Sequence, residues 1–260
     1  MANRRQAQMV SNPHCKQTST ALTTVDLQRE NWHDSAVSNR ITTGAISRPD
    51  PKKVAMSDRA EPTETPPKPV SGLISEAQEV LRIEAEGILG LVDRLGPAFE
   101  SAVELIYRNE GRLIISGIGK SGIVARKIVA TLNSTGTRSL FLHPVEAMHG
   151  DLGQVGPDDI LMALSYSGET DELNLLIPRI RAECCKIIAL TGNPDSTLAR
   201  LSDIVIDVSV ERESCSLGLA PTASTTAAMA MGDALAVVLI NKHQFKSSDF
   251  QRFHPGGNLG

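Results

Sequence analysis

Two short segments of the chain combine glycine with residues that could hold a phosphate group. SGIGKSG spans Ser116–Gly122 after an apolar run, and SYSGET spans Ser165–Thr170 with three short hydroxyls around a glycine. Glycine lets the backbone approach a ligand closely, and a helix that begins at such a segment offers free N–H donors at its positive end. The pair therefore predicts a site for a phosphate monoester, in which Lys120 supplies a positive charge.

The first segment also resembles two nucleotide-binding patterns, and both fail. A P-loop needs glycine five residues before the glycine of Gly-Lys-Ser, where this chain has Ile114. A dinucleotide turn needs an acid at the end of the next strand, where this chain has His143 followed by proline. The glycines could otherwise serve only the close packing of a helix on a strand, and that alternative stays open.

The second segment has a structural alternative as well. Ser167 is a good N-cap residue, and Glu169, Asp171 and Glu172 would complement the dipole of the following helix. Three carboxylates would repel a phosphate if all of them pointed at it. Some of these carboxylates must therefore point away from the phosphate or take part in the chemistry.

Apolar runs that alternate with helical periodicity predict the elements that position these segments. The predicted strands are Arg112–Ser116, Ser139–Leu142, Ile160–Leu164, Lys186–Leu190 and Ile204–Val208. The predicted helices are one from Ile74, then Ala98–Tyr107, Gly122–Ser134, Val145–His149, Thr170–Arg181, Ser196–Leu201 and Thr222–Asn241. Apolar strands separated by helices indicate a parallel sheet covered on both faces. We expect a doubly wound, five-stranded α/β domain over residues 71–260, with ligands at the carboxyl ends of its strands.

Residues 1–70 differ from this domain in composition. They are polar, lack hydrophobic periodicity and end in a proline-rich run, which predicts a disordered tail. They have ten Lys and Arg against seven Asp and Glu, whereas residues 71–260 have sixteen against twenty-three. The acidic domain argues against nucleic acid or an acidic membrane as a partner. The first 25 residues have three basic side chains and no acid, a faint likeness to an organelle-targeting peptide.

The cysteines and the apolar stretches bear on location. Four cysteines without a C-x-x-C pair or zinc spacing favour a reducing compartment, and no apolar segment near the N-terminus suggests secretion. We therefore expect a cytoplasmic protein. The uncharged stretch from Leu217 to Ile240 is interrupted by Asp233 and predicts a buried helix, not a membrane span.

The chain resembles the sugar isomerase (SIS) domain family and, within it, the D-arabinose 5-phosphate isomerase branch. Ser165–Thr170 matches the family signature S-x-S-G-x-T. Six motifs in chain order resemble the branch: GIGKSG from Gly117, HPVE from His143, HGDLG from His149, LGLAPT from Leu217, MGDALA from Met231 and HPGG from His254. The resemblance covers about residues 75–260.

The resemblance implies an aldose–ketose isomerase that interconverts D-ribulose 5-phosphate and D-arabinose 5-phosphate. This reaction is the first step toward 3-deoxy-D-manno-octulosonate, and so toward lipopolysaccharide biosynthesis. The resemblance also implies a homo-oligomer, commonly a tetramer, with active sites at subunit interfaces and no cofactor. Most relatives continue after HPGG into a pair of cystathionine-β-synthase (CBS) domains, so a chain ending at Gly260 is expected to be a short form or a truncation.

The residues that match the branch's catalytic groups are Lys120, Glu172, Glu213 and His254. The reaction moves one proton between C1 and C2 through an enediolate, which needs a base, a charge stabiliser and help in opening the sugar ring. A carboxylate suits the role of the base, because burial can raise its pKa toward neutrality. Glu213, in the loop before LGLAP, is our first choice for the base, and Glu172 is the second. His254 could move a proton in ring opening, and Lys120 could hold the phosphate or the enediolate.

Further residues are expected to bind substrate. They are Gly119, Ser121, Gly136, Thr137, His143, His149, Ser165, Ser167, Gly168 and Thr170. In some family members the matching histidines also bind a zinc that inhibits. This chain offers no full metal cage, so we expect catalysis without a metal and, at most, an inhibitory zinc at His143.

Two other functions stay open. Many SIS domains sense phosphosugars within regulators and catalyse nothing, although a sensor would not need Lys120, Glu213 and His254 together. The other alternative is an enzyme that isomerises a different sugar phosphate or transfers an amide. Amide transfer would need a glutaminase-like N-terminal domain, and residues 1–70 are too short and too polar to form one.

Overall fold

The computed structural model describes residues 72–183 and 185–256, so the expected disordered tail lies outside the described residues. Five parallel strands form one sheet in the order β2-β1-β3-β4-β5. The strands are β1 (Leu113–Gly117), β2 (Ser139–Phe141), β3 (Ile160–Leu164), β4 (Lys186–Thr191) and β5 (Ile204–Asp207). The expected five-stranded parallel sheet is confirmed, and the ends of every strand lie within one residue of the expected bounds.

Helices precede, separate and follow the strands. They are α1 (Leu73–Val92), α2 (Pro97–Arg108), α3 (Gly119–Ser134), α4 (Pro144–Met148), α5 (Asp171–Ala182), α6 (Thr197–Arg200), α7 (Ala223–Lys242) and α8 (Ser247–Phe253). A short 3-10 helix covers Asp151–Gln154. Neither α8 nor this 3-10 helix was expected from the sequence, because both segments are short and polar and lack clear apolar periodicity.

Both faces of the sheet are buried, because successive strand residues point to opposite sides. Ile115 and Met162 face a core that is shared with α2, α3 and α7. Ile114 and Leu161 face a second core that is shared with α4, α5 and α6. Burial on both faces explains why these strands are apolar throughout instead of alternating with polar residues.

Helix α7 is central to one face of the domain. It packs against α1 and α3, and eight of its residues are buried. A Cβ at Gly232 would lie 2.4 Å from Ile128 Cγ1, so glycine lets α3 and α7 approach closely, and Lys127 pairs with Asp233 beside this contact. By length and composition alone, α7 is the one helix among the described residues that could cross a membrane. Its contacts with α1 and α3 bury 44% of its apolar window, so the helix expected to be buried is partly buried.

Candidate functional site

The carboxyl ends of β3, β4 and β5 border a small cavity of about 50 Å³. Its polar lining comes from three parts of the chain: Ser121 near the start of α3, Ser165 and Tyr166 after β3, and Ser224 and Thr225 at the start of α7. Loops that follow parallel strands meet at one edge of the sheet. The structure therefore brings both glycine segments together with the start of α7.

SGIGKSG forms the end of β1 and the first turn of α3. A Cβ at Gly122 would lie 2.7 Å from the carbonyl oxygen of Gly117, so this glycine serves the close packing of helix on strand. Gly119 differs, because its φ is +57° and a Cβ there would meet no atom within 4 Å. The Lys120 side chain is exposed and makes no hydrogen bond or ion pair with the described residues. The packing alternative holds for Gly122, whereas Gly119 and Lys120 border space that a ligand could occupy.

Residues 165–170, which we call the hydroxyl loop, are held in one conformation by their own hydrogen bonds. Ser165 Oγ and Thr170 Oγ1 lie 2.8 Å apart, and the Gly168 amide donates to Ser165 Oγ at 3.1 Å. The Asn174 side chain donates to the Gly168 carbonyl at 3.1 Å. Gly168 has φ +69°, and a Cβ there would lie 2.0 Å from the serine hydroxyl that caps α6, so only glycine fits. The loop is therefore preformed beside the N-terminus of α5.

Ser167 is not the N-cap of α5. The N-cap position belongs to Thr170, and Ser167 Oγ instead accepts the Glu169 amide at 3.2 Å within the loop. The Ser167 side chain is exposed, so its hydroxyl keeps a free donor for a ligand. The capping alternative for this serine is therefore wrong.

The acidic residues near the hydroxyl loop divide into two groups. Glu169 turns away, since its Oε1 accepts the Thr197 amide at 2.8 Å at the start of α6. That hydrogen bond holds the pKa of Glu169 below its ordinary value of 4.5. Asp171 and Glu172 are exposed in the first turn of α5 and have no partner among the described residues. Glu169 thus has a structural role, and Glu172 stays available for chemistry.

Glu213 lies in the loop between β5 and α7, and its carboxylate closes the N-terminus of α7. Its Oε2 accepts the Thr222 amide at 2.8 Å, the Thr222 hydroxyl at 2.9 Å and the Ser224 amide at 3.3 Å. None of these bonds uses Oε1. Burial acts to raise the pKa of Glu213, but hydrogen bonds from Ser224 and Thr222 outweigh it and hold the pKa below 4.5.

This result corrects the expected electrostatics of the base. A carboxylate base with a pKa raised by burial was expected, but at Glu213 the start of α7 supplies donors that stabilise the ionised form. Glu213 is therefore a carboxylate at neutral pH and can accept a proton through Oε1 without first losing one. Its role as the base stays a prediction.

Sequence reasoning missed Thr222 and Ser224 as the residues that hold Glu213. A signal was present, because LAPTAST places hydroxyl side chains at the start of a long helix, as is typical of a cap region. The pairing itself was hidden, because the acceptor lies nine residues before Thr222 and belongs to the preceding loop.

The two predicted histidines flank α4, which follows β2 at the carboxyl edge. His143 takes the N-cap position and is half-buried, and its Nδ1 is buried without a hydrogen-bond partner among the described residues. His149 follows α4 and is exposed. This ring nitrogen is enclosed by protein atoms, and substrate binding by His143 stays a prediction.

Gly136 and Thr137 lie elsewhere in the fold. They connect the C-terminus of α3 to the start of β2, which places them at the amino edge of the sheet. Gly136 has φ +94°, and a Cβ there would lie 2.8 Å from the Phe245 ring. Within one chain the structure does not bring these two residues to the carboxyl edge, so their substrate contacts stay a prediction.

His254 also lies apart from the other predicted catalytic residues. Its ring stacks on Phe250 at 3.9 Å, and Nδ1 lies 2.9 Å from the Phe250 carbonyl. The preceding Phe253 stacks on Phe245, the same ring that covers Gly136. The C-terminal helix α8 thus places His254 beside the amino edge of its own chain.

A bound metal would need several ligand side chains close together. Within residues 72–183 and 185–256, no three His, Cys, Asp or Glu side chains come together in a metal-binding group. Catalysis without a metal, and zinc at His143 as an inhibitor, therefore stay predictions.

Comparison with known proteins points to one family. The model of the SIS domain matches residues 106–238, which is half of the chain. The "Probable arabinose 5-phosphate isomerase" of Haemophilus influenzae is 55% identical over 184 residues, which are 71% of this chain and 55% of that protein. The arabinose 5-phosphate isomerase KdsD of Pseudomonas aeruginosa is 46% identical over 187 residues, 72% of this chain and 57% of KdsD. The chain thus spans little more than half the length of these relatives.

A solved structure matches over nearly its whole length. The c3406 protein of E. coli CFT073, in complex with arabinose 5-phosphate, superposes with a TM-score of 0.68 and 36% identity, and the match covers 70% of this chain and 97% of that one. Residues 106–238, which the SIS domain model matches, contain the five-stranded sheet and the two glycine segments described above. The family model, the sequence identity and the shared fold agree. This chain belongs to the SIS domain family.

Proposed function

We propose that this chain is an aldose–ketose isomerase that interconverts D-ribulose 5-phosphate and D-arabinose 5-phosphate. The observation that carries the proposal is the carboxyl edge, where a preformed hydroxyl loop, an unpartnered lysine and an ionised glutamate belong to segments around one cavity. The activities in the names of the H. influenzae and P. aeruginosa relatives, and the arabinose 5-phosphate bound to c3406, support the same reading.

The geometry suggests how the work is divided. The hydroxyl loop and the N-terminus of α5 would hold the phosphate, because they combine short donors with a positive helix end. Glu213 would take the proton from C2 of the aldose and return it to C1 of the enediolate, while a second proton moves from O2 to O1, which yields the ketose. Lys120 would stabilise the enediolate oxygens, and Glu172 would be the second candidate for the base.

We propose that His254 moves a proton when the sugar ring opens. This role requires a second copy of the chain. His254 lies beside the amino edge of its own chain, so it would have to serve the carboxyl edge of a neighbouring copy. Exposed apolar side chains on α1 support self-association. Ile74, Leu81 and Ile88 recur every seven residues along that helix, and Leu95 follows at the same interval. We therefore propose a homo-oligomer, and a tetramer as its size.

The proposal also includes a setting for the enzyme. Cys185 and Cys215 are free thiols, which fits a reducing cytoplasm. There the product would enter the synthesis of 3-deoxy-D-manno-octulosonate and of lipopolysaccharide. A phosphosugar sensor and an isomerase for another sugar phosphate are the alternatives.

Proton exchange tests this function directly. The protein is incubated with D-ribulose 5-phosphate in heavy water, and NMR follows the appearance of arabinose 5-phosphate that carries deuterium at C2. The proposal predicts labelled product for the wild type and for Glu211→Gln, an exposed neighbour in the same loop. Glu213→Gln should bind substrate but lose exchange.

The alternatives give different results in the same experiment. Sugar phosphate that binds without exchange or product supports the sensor. Faster turnover of a six-carbon sugar phosphate supports an isomerase with another substrate. Full exchange in Glu213→Gln, combined with its loss in Glu172→Gln, moves the base to Glu172.

A further inference from the structure

Tyr166 links two loops of the carboxyl edge that are 44 residues apart in sequence. It stands between Ser165 and Ser167 in the hydroxyl loop. Its phenolic oxygen accepts the Val210 amide at 3.1 Å and donates to the Val210 carbonyl at 3.4 Å. Val210 begins the segment that leads to Glu213, so one hydroxyl joins the loop that would bind phosphate to the loop that carries the base.

The rest of the Tyr166 residue is also fixed. Its backbone carbonyl accepts the Gly192 amide at 2.9 Å and the Thr191 hydroxyl at 3.2 Å. A Cβ at Gly192 would lie 2.4 Å from the Tyr166 ring, so that glycine makes room for the ring. The phenol therefore cannot swing away from Val210 without breaking contacts with the end of β4.

The segment between the two ties is short. At one end the Tyr166 hydroxyl holds both backbone groups of Val210, and at the other end α7 holds the Glu213 carboxylate. Only Glu211 and Arg212 lie between these points; both are exposed, and Arg212 pairs with Glu79 on α1 at 3.0 Å. Arg94 also donates to the carbonyl of Ser209, just before this segment. The Tyr166 hydroxyl is therefore one of the contacts that set the position of the Glu213 backbone, and it is the one that links this backbone to the hydroxyl loop.

We propose that Tyr166 is a positioning residue that sets the distance between bound phosphate and the carboxylate of Glu213. The inference rests on the proposed isomerase function. A proton transfer is sensitive to a displacement of its base by a fraction of an ångström, whereas the grip on the phosphate depends on groups that Tyr166 does not supply. Loss of the hydroxyl should therefore lower kcat and leave KM nearly unchanged.

The test replaces Tyr166 by phenylalanine, which keeps the ring on Gly192 and removes one oxygen. The matched control is Tyr107→Phe, at the only other tyrosine of the chain, which lies exposed on α2. We expect Tyr166→Phe to lower kcat about ten-fold and to change KM less than about two-fold, with kcat and KM unchanged in the control. Hydrogen exchange followed by mass spectrometry should show faster exchange in residues 208–213 of Tyr166→Phe alone.

The possible outcomes separate this inference from the proposed function. Equal kcat in the two variants, or a raised KM at constant kcat, overturns the positioning role. If the wild type binds the sugar phosphate without turning it over, the proposed function fails. Hydrogen exchange then tests the contact between the Tyr166 hydroxyl and the Val210 backbone without any measurement of activity. Unchanged exchange at residues 208–213 overturns the tie in either case.

Discussion

The two edges of the sheet use carboxylates in opposite ways. At the amino edge, Asp159 precedes β3 and accepts the amides of Arg112 and Gly156 at 2.7 and 2.9 Å, while the Arg112 guanidinium pairs with it at 2.9 Å. Asp203 precedes β5 and is paired in the same manner with Arg181 and a lysine. At the carboxyl edge, Glu213 accepts only amides and a hydroxyl.

The difference lies in the positive charge. Each of these amino-edge aspartates pairs with a cationic side chain, so its charge is already balanced within the chain. At the carboxyl edge Lys120 has no carboxylate and Glu213 has no cation among the described residues, so these charges remain available to a ligand. We infer that the amino edge serves stability and the carboxyl edge serves chemistry, and four predictions test this division.

The largest expected effect is on turnover at the carboxyl edge. Glu213→Gln keeps an oxygen that can accept the α7 amides but removes the negative charge that the proposed base would need to accept a proton. We expect kcat for isomerisation to fall about 1,000-fold, because a positioned general base typically contributes 10²–10⁴-fold. The free energy of unfolding in urea should change by about 1 kcal/mol or less. A large loss of stability in this variant would contradict the division.

The converse is expected at the amino edge. Asp159→Asn leaves the half-buried Arg112 guanidinium without its anion, so we expect the free energy of unfolding to fall by about 2–3 kcal/mol. Activity per folded molecule should stay unchanged. The control is Asp158→Asn, an exposed neighbour with no partner among the described residues. A loss of kcat in folded Asp159→Asn would show that the amino edge also serves chemistry.

The stability that Asp159 supplies should depend on pH. Burial acts to raise its pKa, but hydrogen bonds from Arg112 and Gly156 outweigh burial and hold the pKa below 3.8. A depressed folded pKa contributes stability above the unfolded value of 3.8, and that stability is lost as pH falls through the folded pKa. The stability gap between wild type and Asp159→Asn, measured by urea unfolding, should shrink between about pH 5 and about pH 2. A difference in the free energy of unfolding that increased toward low pH would contradict a lowered pKa for Asp159.

The smallest effect is expected from Gly119→Ala. Its φ of +57° disfavours any side chain, yet a Cβ there meets no neighbour within 4 Å. We therefore expect a loss of about 1 kcal/mol in the free energy of unfolding. Gly168→Ala, where the Cβ would overlap a serine hydroxyl, should lose more than that and should also raise KM. Equal losses in the two variants would show that backbone strain alone decides both.

Much of the fold was readable in the sequence, because strands buried on both faces must be apolar throughout. Runs such as Ile160–Leu164 therefore located the strands to within one residue. The parallel order then put SGIGKSG and SYSGET at one edge, since loops after parallel strands share an edge. The short polar helix α8 was not predicted, because its sequence lacks the apolar periodicity that marked the other elements.

Contacts between distant segments were decided only in three dimensions. The sequence determined the sheet, the glycine segments and the types of the candidate catalytic residues, because apolar patterns and local backbone needs are written in neighbouring positions. The tertiary structure decided that Glu169 turns to α6, that α7 lowers the pKa of Glu213, that Tyr166 reaches Val210 and that His254 lies beside the amino edge. Each of these depends on which donor or ring lies within a few ångströms. The number of residues between two positions does not give their distance in space.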